Sequence, residues 1–439
     1  MERSITPDGY LPRIVDEQIE QYLKVFGAVE IAGTKWCGKT WSAMKHGASI
    51  AYLDQESTRQ LALTDPSVVL RGDRPRVLDE WQRVPQIWDA VRHEVDAVRR
   101  TKGAWILTGS SSPKKKQAAS PGDDERQHSG AGRIGRIRMA PMSLAESGDS
   151  KAAVSLAGLF EGDFEPRTCA KDTVRLVELA CRGGWPEAIE SNAEEAQLVA
   201  RAYLELIFSE TVPDQRMDPF VAERLVGSIA RNLGQAATYA TIAQDIYGAE
   251  ENPQELLSEA RLADYLQLLK RLYLLEEVPG WAPPARSKKR FLTKPKRYLA
   301  DPSLAVAALG MSVQSLVDDW QTFGLVFENL CIRDLGVYAR ALPGAKPIPL
   351  RYYRDDSGLE SDVIIELSDG RWAALEVKLG EDKVADAVKT LNHLEEKVCS
   401  NPRAKVRPPE FKMVLVGVSE YARKVGDRSY VVPLRLLGR

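Results

Sequence analysis

The chain has 439 residues, 44% of them apolar and 28% charged, which suits a soluble protein of about two to four domains with packed cores. A net charge of −2 excludes a global basic field, so any nucleic-acid surface has to be local. Five scattered cysteines without a C-x-x-C pair, and four histidines, argue against zinc; together with the lack of a signal-peptide pattern they predict a cytoplasmic setting, and no apolar run predicts a membrane span.

In chain order, the spacing of Ile14, Ile19, Tyr22, Leu23 and Phe26 predicts an amphipathic helix. The apolar run Ala28–Ala32 then predicts a strand. It leads into Gly33, Thr34, Lys35, Trp36, Cys37, Gly38, Lys39 and Thr40, the G-x-x-x-x-G-K-[ST] phosphate loop. Glycines let the backbone N–H groups converge, and the following helix adds its positive end. Lys39 is placed to reach the β- and γ-phosphates and Thr40 to hold Mg²⁺. Trp41 is grouped with the loop as nucleotide-binding. Residues 50–54 predict a second strand, and Arg76–Asp79 a third that ends in two acids. Asp79 is the candidate Mg²⁺ holder through water, and Glu80 the general base that polarises the attacking water. Taken without the loop, the two acids would be read as helix caps. Residues 88–98 predict a helix and 104–109 a further strand. Strands alternating with helices imply a parallel sheet with ligands at the strand C-terminal ends.

Residues 113–128 are polar and turn-rich and predict a loop, with Lys114, Lys115 and Lys116 as a charge cluster. Arg133 and Arg136 follow. An arginine entering a neighbouring subunit's site would stabilise the transferring phosphoryl group, so Arg133 is the first candidate for such a finger and Arg136 the second. A finger acting between subunits predicts self-association into a ring.

Residues 174–181 and 194–208 predict helices. The stretch 220–233, then 239–247 and 253–269, predicts three more. Leu272–Val278 and Arg297–Asp301 predict paired strands, so the series has the order of a winged helix. Arg286, Lys288, Lys289, Arg290, Lys294 and Lys296 lie between those strands and form the densest basic patch of the chain. A basic wing beside a recognition helix suits a phosphate backbone, although such modules also serve protein packing.

Further on, Phe323–Leu330 predicts a helix carrying Glu328. Strands are predicted at 350–354, 358–366 and 372–378, a helix at 382–398, and a closing strand at 412–417. Asp362 and Glu376 fall on neighbouring strands and are candidate ligands of one Mg²⁺, with the Val377 carbonyl as a third oxygen. Lys378 shares the face of Glu376, two residues away, and is placed to orient water or stabilise the phosphate. Glu328 would complete the site, with Glu360 assisting. This spacing matches the PD-(D/E)xK nuclease pattern. A domain with the pattern intact either cuts nucleic acid or only binds it.

The segments Tyr10–Arg13, Gly33–Thr40, Leu78–Pro85, Leu107–Ser112 and Gly130–Glu146 together resemble AAA ATPase family fourteen, which commonly carries a C-terminal domain of unknown function numbered 4143. Gly183-Gly184-Trp185-Pro186 resembles the Gly-Gly-aromatic-Pro turn of that family. Thr34-Lys35 stand where the family more often has Gly-Pro-Arg, and Trp81 where a smaller apolar residue is usual. The resemblance implies ATP as the nucleotide, a γ-phosphate sensor at Thr108 or Ser110, a helical lid, and a restriction-endonuclease-like C-terminal fold. The expected architecture is α/β: an AAA-type P-loop core (1–155), a helical lid (156–215), a winged helix (216–310) and a nuclease-like domain (311–439). The expected function is an ATP-hydrolysing machine that engages DNA, branched or forked, with a nuclease-like C-terminal domain that cuts with Mg²⁺, in DNA processing, repair or defence, with no membrane partner. A remodelling motor that does not cut and a nucleotide-switched sensor are the alternatives.

Overall fold

The structure is a computed structural model describing residues 5–97, 101–111, 132–248, 258–283, 293–400 and 406–439. It divides into two compact units: Met1–Pro141 with Leu268–Leu274, and Met142–Gln267 with Leu275–Arg439.

Among the described residues, the first unit holds a five-stranded parallel sheet. Its strands are β1 (Ala28–Gly33), β2 (Ser49–Tyr52), β3 (Arg76–Asp79), β4 (Trp105–Gly109) and β5 (Ile134–Met139), in the order β2-β3-β4-β1-β5. Both faces are covered, which is why β1 and β4 are buried along their length. Alternate residues feed two cores. Val29, Ile31, Val77, Ile106 and Ile137 pack with Ile19 of the helix Val15–Val25. Leu78, Trp105 and Leu107 pack with Trp81, Ile87, Trp88 and Val91. Residue β5 was not expected as a strand; its alternation is interrupted by the arginines Arg136 and Arg138. Gly33 is required by β5 rather than by a turn, since a Cβ there would lie 2.0 Å from the Met139 carbonyl oxygen.

The second unit holds β6 (Val154–Ser155), β7 (Arg167–Thr168), β8 (Leu275–Val278), β9 (Lys296–Leu299), β10 (Ala345–Arg354), β11 (Glu360–Leu367), β12 (Trp372–Gly380), β13 (Phe411–Val418), β14 (Tyr421–Gly426), β15 (Ser429–Pro433) and β16 (Leu437–Gly438). A mixed seven-stranded sheet runs β10-β11-β12-β13-β15-β14-β7. The expectation that residues 412–417 close this sheet is corrected: β13 is internal, paired in parallel with both β12 and β15. The helix Val384–Cys399 makes the crossover from β12 to β13 that parallel neighbours need.

Short pairings tie distant sequence to this sheet. β7 extends it, and β6 pairs with β16. Residues 142–155, expected at the end of the first domain, therefore lie in the second unit. The antiparallel pair β8–β9 is a sheet of its own, held against the larger one where Gly280, just past β8, bridges to Tyr352 and the Trp281 ring stacks on Trp372 at 4.8 Å.

A fully buried ion triad anchors this unit. Arg333, on the helix Trp320–Arg340, donates to Asp301 at 2.9 Å and to Asp334 at 2.7 Å. Asp301 also accepts the Gly184 N–H, and Asp334 accepts the Leu144 N–H at 3.0 Å. Gly184 admits no side chain, since its Cβ would lie 2.1 Å from the Met142 carbonyl oxygen. The Gly-Gly-aromatic-Pro turn is thus a strut between helices. Removing one member of a buried pair leaves the other charge uncompensated, which costs about 3–5 kcal/mol. Arg333→Met is expected to lower unfolding free energy by that order in urea titration; a loss below about 1 kcal/mol would show that the triad does not anchor the unit.

Candidate active site

The sheet order sets β4 between β1 and β3, so the tips Gly33, Gly109 and Asp79 stand side by side. The loop after β1 turns through Trp36 (φ 66°) and Gly38 (φ 97°) into the helix Lys39–His46. Lys39 is buried, and its Nζ donates to the Thr34 carbonyl at 2.7 Å. Thr34 Oγ1 is buried without a protein partner, a polar atom left for a ligand in the loop. Trp36 and Trp41 are both partly exposed at the surface of this region.

Asp79 lies at the centre. Its Oδ1 accepts from Thr40 Oγ1 at 2.8 Å and from Thr108 Oγ1 at 2.5 Å. Burial pushes its carboxyl above the usual carboxylate range, and the two hydroxyl bonds oppose that. A hydroxyl and a carboxylate oxygen at this spacing are a hard donor pair, so Thr40 and Asp79 fit Mg²⁺. Glu80 follows with a left-handed backbone (φ 55°), an uncommon state for a non-glycine residue and one concentrated at functional sites. Its N–H donates to Thr108 Oγ1 at 3.2 Å, and its carboxylate accepts from Ser110 Oγ at 2.9 Å and from the Gln82 amide. The two sensor candidates thus divide the work: Thr108 holds Asp79, and Ser110 holds Glu80.

Three contributors escaped the sequence reading. Gln82 carried no motif signal beyond standing two residues after Glu80. Arg13, buried beneath the loop, donates to the Cys37 carbonyl and to the Ala140 carbonyl, both at 2.8 Å. Tyr10 donates to Asp16 at 2.7 Å and meets Ser42 Oγ of the loop's helix at 3.0 Å. The segment Tyr10–Arg13, noted only as a family mark, braces the phosphate loop.

Arg133 and Arg136 are not at this site. β5 is the edge strand, and Gly33 is in register with Met139, three residues beyond Arg136. Arg133 pairs with Asp96 at 2.9 Å; Arg136 pairs with the buried Glu30 at 2.9 Å and lies over the Trp88 ring. Trp81, the other departure from the family pattern, donates its indole N–H to the same Glu30 at 3.1 Å. Lys114, Lys115 and Lys116 lie outside the described residues.

The second unit gathers the expected acids and more. Lys378 Nζ lies 2.6 Å from Glu376 and 3.5 Å from Asp362, whose carboxylate also accepts the Val377 N–H at 3.0 Å. Lys296, from β9, enters the same cluster at 2.7 Å from Glu360, 3.2 Å from Asp362 and 3.7 Å from Glu328. Tyr298 donates to Glu328 at 2.6 Å. Burial and the Asp362 charge push Glu328 up to about 7 and Glu376 up to about 8. Burial acts on Asp362 in the same sense, but Lys296 and Lys378 outweigh it and hold it below the usual range. Among the described residues no group of three or more His, Cys, Asp or Glu side chains converges as a metal site. Asp362 and Glu376, expected to share Mg²⁺, do meet, since their side chains are hydrogen-bonded to each other and Lys378 Nζ touches both. Lys296 is corrected as a surface contact, being buried here. Lys294 is exposed, and Arg286, Lys288, Lys289 and Arg290 fall outside the described residues.

Residues 26–148 match the family model of an AAA domain (AAA_14), and residues 323–437 that of a domain of unknown function (DUF4143), the two families that the motifs resemble. Residues 173–315 match a further domain of unknown function (DUF8612), which the sequence reading did not anticipate. Among curated proteins none matches. A solved structure, the Walker-type ATPase PABY2304 of Pyrococcus abyssi, is similar at 13% identity with a TM-score of 0.40, covering 70% of this chain and 98% of that one. No described helix is long and apolar enough to cross a membrane. The five-stranded parallel sheet with its phosphate loop thus lies within the stretch that matches an AAA domain.

Thr108→Val removes a donor from buried Asp79 and is expected to lower steady-state ATPase at least tenfold, with Thr108→Ser restoring most of it. Equal loss in both variants would remove the hydroxyl as the cause. Arg13→Gln is expected to weaken nucleotide binding in calorimetry by about tenfold, the scale of one charge-assisted hydrogen bond. Unchanged affinity would show that the loop holds its shape without this brace.

Proposed function

We propose that the chain is an AAA-type ATPase that turns over ATP at the loop of Lys39 and Thr40 and transmits the cycle to a DNA-engaging second unit. The observation that carries the ATPase reading is the joint at β3 and β4, where Asp79 is bonded to Thr40 and Thr108, and Glu80 to Ser110. Thr40 and, through water, Asp79 would hold Mg²⁺, which supplies charge neutralisation on the phosphates. Lys39 binds the β- and γ-phosphates, and the loop N–H groups orient them. Glu80 receives the proton of the attacking water; to do so its carboxylate leaves Ser110 and Gln82 and turns toward the nucleotide.

Arg133 and Arg136 remain the candidates for a finger supplied to a neighbouring subunit. The Arg133–Asp96 pair is exposed, where such a pair contributes about 0–1 kcal/mol and is readily exchanged for a phosphate partner, whereas Arg136 neutralises the buried Glu30 and is the costlier of the two to release. The DNA reading rests on chain order: the helices Pro219–Arg231, Tyr239–Tyr247 and Glu259–Arg271, followed by the β8–β9 pair, which brackets the basic segment 283–296. Cutting at Asp362, Glu376 and Lys378 is the reading that the geometry favours least, so the motor or sensor that binds without cleaving is preferred.

Lys39→Ala is expected to abolish nucleotide binding, and Glu80→Gln to bind ATP while turnover falls by about 10²- to 10⁴-fold. Normal turnover in Glu80→Gln would assign the base elsewhere. Linear, forked and four-way DNA are expected to raise the ATPase rate. A rate indifferent to every DNA and RNA, with no binding to any, would end the DNA reading and leave the ATPase reading standing. Gel filtration with and without ATP tests the ring; a monomer under both conditions would defeat it.

A further inference from the structure

The cluster around Asp362 has an unusual resident. Period-two geometry puts Lys296 and Tyr298 on one side of β9, and both side chains enter the cluster. Arg297, between them, turns the other way to Glu277 and the Ala237 carbonyl. The Lys296 side chain is 5% exposed and meets carboxylates from the helix Trp320–Arg340 (Glu328) and from β11 (Glu360, Asp362). An ammonium so far from water persists only where opposite charge surrounds it. Here three carboxylates do so within 4 Å.

We infer that the Lys296 ammonium is the resident cation of this carboxylate cluster, and that it closes the cluster to divalent metal. Mg²⁺ requires oxygen ligands at about 2.0–2.1 Å in near-octahedral array, and it would compete for Asp362 with Lys296 Nζ, which also holds Glu328 and Glu360, as well as with Lys378 Nζ, which also holds Glu376. The cluster is only partly covered: the side chains of Glu376 and Asp362 are 7% and 14% exposed, those of Lys378 and Glu360 27% and 32%. Gly234 stands against Glu328 so closely that a Cβ would lie 2.7 Å from its carboxylate. The lysine therefore clips the β8–β9 pair onto the C-terminal sheet, with Tyr298 as a second clip on Glu328. This inference does not depend on the ATPase reading, because the test uses nucleotide-free protein.

Mn²⁺ binding to the full chain, read by electron paramagnetic resonance, tests it. Wild type and Asp362→Asn are expected to bind Mn²⁺ alike. Lys296→Met is expected to gain a site at least tenfold tighter than any in wild type, lost again when Asp362→Asn is added. Asp362-dependent Mn²⁺ binding in wild type would overturn the inference, and so would a folded Lys296→Met protein that gains no site. Circular dichroism establishes folding; should Lys296→Met not fold, the comparison of wild type with Asp362→Asn decides by itself.

Discussion

Buried carboxylates have to be compensated where they stand, and this constraint shapes both units. Asp79 is compensated by two hydroxyls, Asp301 and Asp334 by one arginine, and Asp362 by two lysines. The three solutions differ in what they permit. Hydroxyls leave a carboxylate with its charge and with room for a cation, which suits a site that loads and unloads. A guanidinium bonded to two acids leaves nothing open, which suits a strut. An ammonium lies between these cases, since it neutralises the acids and is displaced only if its strand moves.

The nucleotide site depends on close backbone approach as much as on side chains. β5 lies against the loop only because Gly33 has no Cβ, and Arg13 links the loop to the end of that strand through the carbonyls of Cys37 and Ala140. The loop is therefore held from beneath by an arginine and from the side by a strand. Glu80 keeps a left-handed backbone while its carboxylate is held by Ser110 and Gln82. These hydrogen bonds give the Glu80 carboxylate a defined resting position.

In the second unit early and middle sequence returns repeatedly to the C-terminal strands, on the seven-stranded sheet and on the small β6–β16 pair. Short strands from residues 154–155 and 167–168, the bridge at Gly280 and the Trp281–Trp372 stack bring early and middle sequence onto strands near the C-terminus. The β8–β9 pair is packed against the adjoining sheet through Trp281, and Lys296 and Tyr298, both buried, are committed to acids of its neighbours.

Chemistry carried on contiguous residues was legible from the sequence. The phosphate loop, the acid pair of β3 and the apolar runs of four of the five strands follow from local spacing, because backbone hydrogen bonding and side-chain period are local properties; β5, interrupted by Arg136 and Arg138, did not show itself that way. The acids of the C-terminal strands were also legible, and the structure does bring Glu328, Asp362, Glu376 and Lys378 together. Tertiary structure alone decided what stands among them. Lys296 is 66 residues from Asp362 in sequence, and nothing in its own neighbourhood distinguishes it from the other basic residues of the wing. Which cation neutralises a buried acid is settled by packing between distant elements, and local pattern holds no record of that distance.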